Sequence, residues 1–212
     1  MSPRPRKVSD EDVFMAAVRV MTHVGPAELT LTAIAEEAGV TAGALVQRFG
    51  SKRDLLVTMS RLMAESTPDR LSAMRRDHGS ALETLRAYAA CLADLAPSPE
   101  GLARNLAYLQ LDLTDPDLHA PLLAQSRTTR AALKTLLAEA IEVGDLKADT
   151  DPKRLARVVE TTFSGSLMTW AVYREGPASA WLQRDLELAL EPFLTRRGAR
   201  RPRRRMRAFT KS

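Results

Sequence analysis

Apolar residues recur along most of this chain at intervals of three and four, so the pattern predicts helices and little else. Val13, Phe14, Ala17, Val20, Met21 and Val24 make a first stripe, the spacing of one helix face. Ser9 with Asp12 three residues on reads as a capping box that opens this helix, and Gly25-Pro26 closes it. A second short helix is expected from about Thr32 to Ala38, stopped by Gly39. A third runs from after Thr41 to Phe49, stopped by Gly50. Ser51, with Asp54 as its acid, starts a longer fourth helix through about Met74. Further helical segments are predicted near 80–95, 99–113, 117–143, 152–175 and 178–194. The breaks between them are Pro97-Ser98-Pro99, Asp115-Pro116, Gly144 and Gly176-Pro177, and Asp151-Pro152 is a helix start with a cap followed by proline. No period-2 run bounded by turn residues suggests a strand. The expected class is all-α, with a small three-helix N-terminal head followed by a larger helical body.

Three short helices joined by tight turns, with Gly39, Val40 and Thr41 alone between the second and third, make a helix-turn-helix. Ala35 and Ala38 stay small where the helices cross, and Gly39 permits a left-handed turn residue. Val40 and Leu45 fill the small core, and Thr41 caps the third helix. Read alone, the segment also fits an ordinary helical hairpin turned at a glycine.

The succession Thr30, Ile34-Ala35, Ala38-Gly39-Val40-Thr41, Gly43-Ala44-Leu45, Phe49, Ser51-Lys52 and Leu55 closely resembles the helix-turn-helix of the TetR-type repressors, and Ala16-Ala17 and Gly25 upstream also fit. Two positions depart from the family pattern: its Tyr is Val46 here and its His is Arg48. Val46 loses a hydroxyl that would reach a backbone phosphate, and Arg48 offers a charged contact instead. The resemblance implies that Arg48 and Lys52 meet phosphates, and that Thr32, Ala42, Gly43, Val46 and Gln47 face the major groove, with Thr41 at the helix start beside them. Gln47 is the only long donor–acceptor side chain in that set; it suits adenine N6 and N7, and Val46 suits a thymine methyl. Ile34, Leu45 and Phe49 belong to the core. Gly43 equally fits close backbone packing, and Arg48 and Lys52 equally fit solvated charges. A flexible basic arm, residues 1–8 with Arg4, Arg6 and Lys7, suits either a minor groove or a solubilising end.

The same resemblance divides the chain into the arm, a DNA-binding domain over 9–55, an effector-binding and dimerisation domain over 56–194, and a tail over 195–212. A two-fold dimer would present two heads to a palindromic operator. Leu155, Val159, Thr162 and Ser166 with Leu182, Leu186 and Leu190 are the expected dimer interface, where Thr161 and Gly165 would let two helices approach closely. Those stripes equally fit packing inside one chain, and periodicity does not separate the two. Met59, Met63, Cys91, Asn105, Tyr108, Phe163 and Trp170 are candidate ligand-binding residues, with Gln110 a further polar anchor. Few charges interrupt these stretches, so a small, mainly apolar effector is expected.

Charge changes the picture in one respect. Residues 195–212 hold eight arginines and one lysine with no acid, +9 in a chain whose net charge is +5, which leaves −4 for residues 1–194. The basic pI therefore belongs to an Arg-rich tail expected to be disordered, not to the folded body. An alternative reading makes the protein an architectural or interaction factor that uses this tail for non-specific nucleic-acid binding. Catalysis has little to stand on. His23, His78 and His119 form no metal-ligand spacing, and no phosphate-binding glycine motif occurs. Cys91 is the one cysteine, which excludes an internal disulfide and suits a reducing compartment. No apolar run has a membrane span's length. The expectation is a cytoplasmic, ligand-responsive regulator of transcription, most simply a repressor. Its partners are double-stranded operator DNA, a small-molecule effector and a second copy of itself, with no membrane, cofactor or metal.

Substituting Gln47→Ala should relax sequence choice, whereas Lys52→Ala should weaken operator and random DNA alike. Titration of both DNAs with each variant checks this, a good bidentate base contact being worth about 1–3 kcal/mol of discrimination.

Overall fold

The structure, a computed structural model, describes residues 8–200 as ten α-helices: α1 (Asp10–Met21), α2 (Leu31–Ala38), α3 (Ala42–Phe49), α4 (Lys52–Asp77), α5 (Ala81–Asp94), α6 (Pro99–Thr114), α7 (Pro116–Glu142), α8 (Pro152–Tyr173), α9 (Ala178–Leu190) and α10 (Arg196–Arg200). The fold is all-α. A lone antiparallel bridge, Leu146 to Leu194, is the closest approach to a sheet among the described residues. Each of α1–α8 opens on a Ser, Thr or Asp side chain that accepts a hydrogen bond from a first-turn N–H: Ser9, Thr30, Thr41, Ser51, Ser80, Ser98, Asp115 and Asp151. Ser9 and Asp12 exchange both bonds of a capping box. Gly39 ends α2 with φ +71°, where a side chain would be strained, and the Val40 N–H closes the turn on the Ala35 carbonyl at 2.9 Å.

In the head, α1, α2 and α3 fold around Val13, Phe14, Ala17, Leu29, Ile34 and Leu45, with the Phe14 and Phe49 rings 5.6 Å apart. This core does not stop at the head. It continues through Leu55, Leu56, Val57 and Met59 of α4 to Tyr108 of α6 and Leu118 of α7. α4, 26 residues long and so about 39 Å at 1.5 Å per residue, then runs on beside α7. The second core lies between α5, α7, α8 and α9 and centres on Leu82, Leu85, Leu137, Leu155, Val159, Leu182, Leu186 and Leu190.

This packing corrects the expected dimer face. Leu155, Val159, Ser166, Leu182, Leu186 and Leu190 are all buried within one chain. Ser166 donates to Asp185 at 2.7 Å, tying α8 to α9. These residues hold the monomer together and have no surface left for a second copy. Thr162 is half-buried at the margin of the same face. The far side of α8 carries a different stripe, Val158, Thr161, Gly165, Met168 and Val172, all exposed.

The C-terminus also departs from the expectation. Helix α9 stops at Leu190 and gives way to a 3₁₀ turn, Glu191–Phe193, which contains Pro192. The start of the expected disordered tail is ordered: Thr195 donates from its backbone to the Asp145 carbonyl and from its hydroxyl to the Gly144 carbonyl, and α10 follows. Gly198 is buried against Asp145, where a Cβ would collide with the carbonyl. The remaining tail, 201–212, and the arm residues Arg4, Arg6 and Lys7 lie outside the described residues. Among the described residues no helix is long and apolar enough to cross a membrane, and no His, Cys, Asp or Glu cluster could hold a metal ion.

Candidate DNA-reading head and effector cavity

The outward surface of α3 follows from which of its residues the core consumes. Leu45 is buried, and Ala42 and Phe49 are partly buried against the head core. Gly43, Ala44, Val46, Gln47 and Arg48 are left exposed. Thr41 is exposed, and its hydroxyl oxygen already accepts the Ala44 N–H at 3.1 Å as the helix cap. Thr32 is exposed on the first turn of α2. Val46 is half exposed and presents its methyl groups outward. Gly43 stands out further. A Cβ there would meet no atom within 4 Å, and its backbone is in the helical range, so nothing inside the chain calls for glycine.

The cations expected at phosphates are engaged with the protein itself. The Lys52 ammonium donates to the carbonyls of Pro26 and Leu29 at 3.1 and 2.9 Å, fastening the α1–α2 connection to the start of α4. Two of its three N–H bonds are thereby used. Loss of Lys52 should thus loosen the head as well as remove a charge. Arg48 pairs with Asp10, donates to the Val8 carbonyl at 2.9 Å and lies over the Phe49 ring. Its ion pair is exposed, and exposed pairs are weak enough to be exchanged for a phosphate.

Arg53, exposed like Arg48, is engaged with the body instead. Its guanidinium takes Asp115 in a bidentate grip, both contacts at 2.7 Å, and reaches Asp117 at 2.7 Å. The hydrogen bonds from Arg53 hold the Asp115 carboxyl below its ordinary value, and the same bonds to Asp115 and Asp117 raise the guanidinium further. Two more bonds join the head to α6: Tyr108 donates its hydroxyl to the Val24 carbonyl at 3.1 Å, and Arg104 donates to the Thr22 carbonyl at 3.0 Å. Burial pushes the Tyr108 phenol up to about 12, so it remains a donor. Nothing in the sequence marks this role for Arg53, because its partners lie 62 and 64 positions further along the chain. Asp115-Pro116 likewise reads from the sequence as a break and nothing more.

Between these joints lies a cavity of about 180 Å³. Met21 of α1, Leu56, Met59, Ser60 and Met63 of α4, Tyr108, Leu111 and Asp112 of α6, and Leu118, Leu122 and Gln125 of α7 line it. Met59, Met63 and Tyr108 are thus brought together. The other four expected ligand residues are elsewhere. Phe163 is buried in the second core, its ring 5.8 Å from that of Tyr88. Trp170 is buried there too and donates to the Gly176 carbonyl at 2.9 Å. Asn105 is exposed and donates to the Leu95 carbonyl, and Cys91 sits half-buried on α5. Gln110 is exposed.

Residues 14–59 match the family described as bacterial regulatory proteins, tetR family, and residues 105–186 match the tetracyclin repressor-like C-terminal domain. The chain is similar to the HTH-type transcriptional regulatory protein RaaS of Mycobacterium tuberculosis, 29% identical over 163 residues, covering 77% of this chain and 69% of that protein. Its fold is similar to that of SmeT, the repressor of the Stenotrophomonas maltophilia multidrug efflux pump SmeDEF (21% identity, 90% of this chain and 92% of that one, TM-score 0.64). It is likewise similar to the transcriptional regulator FadR from Bacillus subtilis, solved in complex with stearoyl-CoA (22% identity, 85% and 97%, TM-score 0.64).

Replacing Gly43 by alanine separates an internal from an external reason for the glycine. The helix should gain up to about 1 kcal/mol, raising the melting temperature by a few degrees. DNA affinity should fall by about tenfold or more, roughly 1.4 kcal/mol, as the added methyl holds the helix off the groove. Thermal melts and DNA titrations on the same preparation read both effects; unchanged DNA affinity would return Gly43 to a purely local role.

Proposed function

Because the chain belongs to the TetR family of bacterial regulatory proteins, and is thus a transcriptional regulator rather than an enzyme, we propose that it represses transcription in the cytoplasm as a homodimer on a palindromic operator and is released by a small molecule. The observation that carries this reading is the outer face of α3: Gly43, Val46 and Gln47 stand exposed around a glycine that no intramolecular contact requires. In this reading Thr32, Thr41, Ala42, Gly43, Val46 and Gln47 meet the groove. Arg48, on exchange with Asp10, and the remaining N–H of Lys52 meet phosphates. Repression is the sense adopted, as for SmeT.

The second copy would dock on the outer stripe of α8. Val158, Thr161, Gly165, Met168 and Val172 are spaced three and four apart, the spacing of a helix-packing seam. A Cβ on Gly165 would meet nothing within 4 Å, so this mid-helix glycine also has no use inside the chain. A close crossing with a partner helix gives it one. Leu188 of α9, also exposed, extends the surface.

The effector cavity would sit among α1, α4, α6 and α7. Tyr108 and Leu118 line it and also belong to the core of the head, so an occupant bears on the head's own packing. The turn of α6 that carries Tyr108 continues to Asp115, the partner of Arg53. A ligand that fits only one setting of α6 therefore selects one position of the head, and it lowers DNA affinity by its difference in affinity between the two settings. A coupling of about 1–3 kcal/mol corresponds to about 5- to 150-fold.

Mobility shifts and footprinting on the DNA flanking the protein's own gene test this reading. Two protected half-sites related by a two-fold axis are expected, about one 34–36 Å turn or a small multiple apart. The variant combining Gly165→Leu with Met168→Glu should sediment as a folded monomer and lose the operator at concentrations where the unmodified chain binds. A dimer that survives both changes would move the interface off α8.

A further inference from the structure

The effector cavity is lined mainly by apolar side chains, with Ser60 and Gln125 the neutral polar ones, and yet contains a carboxylate. Met21, Leu56, Met59, Met63 and Tyr108 surround it, and Asp112 of α6 shares the same wall. Asp112 is half-buried, and burial alone raises its carboxyl above the ordinary range. Among the described residues it takes part in no ion pair and accepts no hydrogen bond. Other acids where helices meet are held: Asp115 by Arg53, Glu139 by Arg75, and Glu187 by Arg86. Asp112 also lies in the last turn of α6, which ends at Thr114. The negative end of the helix dipole is there, and it disfavours an anion. Burial and dipole thus both oppose this charge, and nothing in the chain offsets them.

We propose that the cavity binds a small organic cation, an amine or quaternary ammonium on a compact apolar body, with Asp112 as its counter-ion. A cation removes both penalties at once, which neither a neutral nor an anionic molecule does. The remaining wall suits that chemistry: the Tyr108 ring attracts a cation electrostatically, and the methionine thioethers adapt to an irregular apolar outline. Size limits the body. A cavity of about 150 Å³ holds one benzene, so about 180 Å³ admits one ring with a short charged substituent. Asp115 follows Asp112 by three residues, at the cap where α6 ends and α7 begins, near enough to feel the same charge. A cation at Asp112 therefore also lowers the negative potential that holds Arg53, so that ligand and head draw on the same charge. This inference rests on reading the cavity as the effector site, and it narrows the mainly apolar effector of the sequence reading to one bearing positive charge.

Isothermal titration of the full chain with phenethylammonium, phenethyl alcohol and phenylacetate, three molecules that keep the ring and vary the charge, tests it. The ammonium should bind at least about tenfold tighter than the alcohol, a difference of about 1.4 kcal/mol, with phenylacetate weakest. In Asp112→Asn the ammonium should fall to the level of the alcohol, while the alcohol keeps its affinity and the protein melts somewhat higher, because a charge opposed by burial and by the helix dipole has been removed. Equal binding of ammonium and alcohol, or a preference that survives Asp112→Asn, overturns the charge assignment and leaves the cavity a ligand site. No binding by any of the three overturns the cavity's role together with the proposal.

Discussion

The apolar core that runs from the head through Leu55, Leu56 and Met59 of α4 to Tyr108 of α6 and Leu118 of α7 is the constraint on which the arrangement of head and body depends. The guanidinium of Arg53, held between Asp115 and Asp117, fixes the angle at its exposed edge. A helix-turn-helix joined to its body by one continuous helix would be free to bend at the first turn of that helix. Here the first turn is fixed from both sides. Lys52 grips the carbonyls of Pro26 and Leu29 in the head, and Arg53, the next residue, grips the α6–α7 junction in the body. Tyr108 and Arg104 add bonds from α6 to the end of α1 and the connection beyond it. The head's direction is therefore a property of α6, and α6 is also a wall of the cavity.

This arrangement puts ligand, joint and reading helix within a few turns of one another. Tyr108 and Asp112 lie one turn apart on α6, and Asp115 caps its end; the first touches head and cavity, the second the cavity, the third Arg53. Packed interiors shift between discrete arrangements rather than deforming smoothly. A small displacement at Asp112 can therefore become a change of head angle without a long relay. The two exposed glycines that lie inside described helices fit the same scheme from the outside. Gly43 and Gly165 each lack any intramolecular neighbour that a Cβ would touch. Each sits where we place another molecule, DNA at the first and a second copy at the other.

Much of this was legible in the sequence because caps and breaks are local chemistry. Ser9, Thr30, Thr41 and Ser51 start helices by bonding the residue three positions on, and Gly39 ends one by its own backbone freedom. The faces of α8 were not legible for a physical reason. Both the inward stripe, Leu155, Val159, Phe163, Ser166 and Trp170, and the outward one, Val158, Thr161, Gly165, Met168 and Val172, have helical spacing. Only the packing against α5, α7 and α9 shows that the stripe with the larger side chains is the core. The second miss, Arg53, depends on two residues more than sixty positions away, and charge identity carries no trace of such a partner. Phe163 and Trp170 were misplaced likewise: an aromatic at helical spacing fits a core as well as a cavity. Asp112 was overlooked because a single acid near a helix end looks like solvent-exposed surface until the cavity beside it is seen.

The most direct test of the joint is the distance between the two heads. Nitroxides attached to Gln47→Cys in a Cys91→Ala background report it by pulsed electron paramagnetic resonance of the dimer. The account predicts one narrow distribution for the chain with Arg53 intact, and a broadened, displaced one when Arg53→Ala is added. A distribution that keeps its position and width without Arg53 would show that the head is held by something other than the α6–α7 junction.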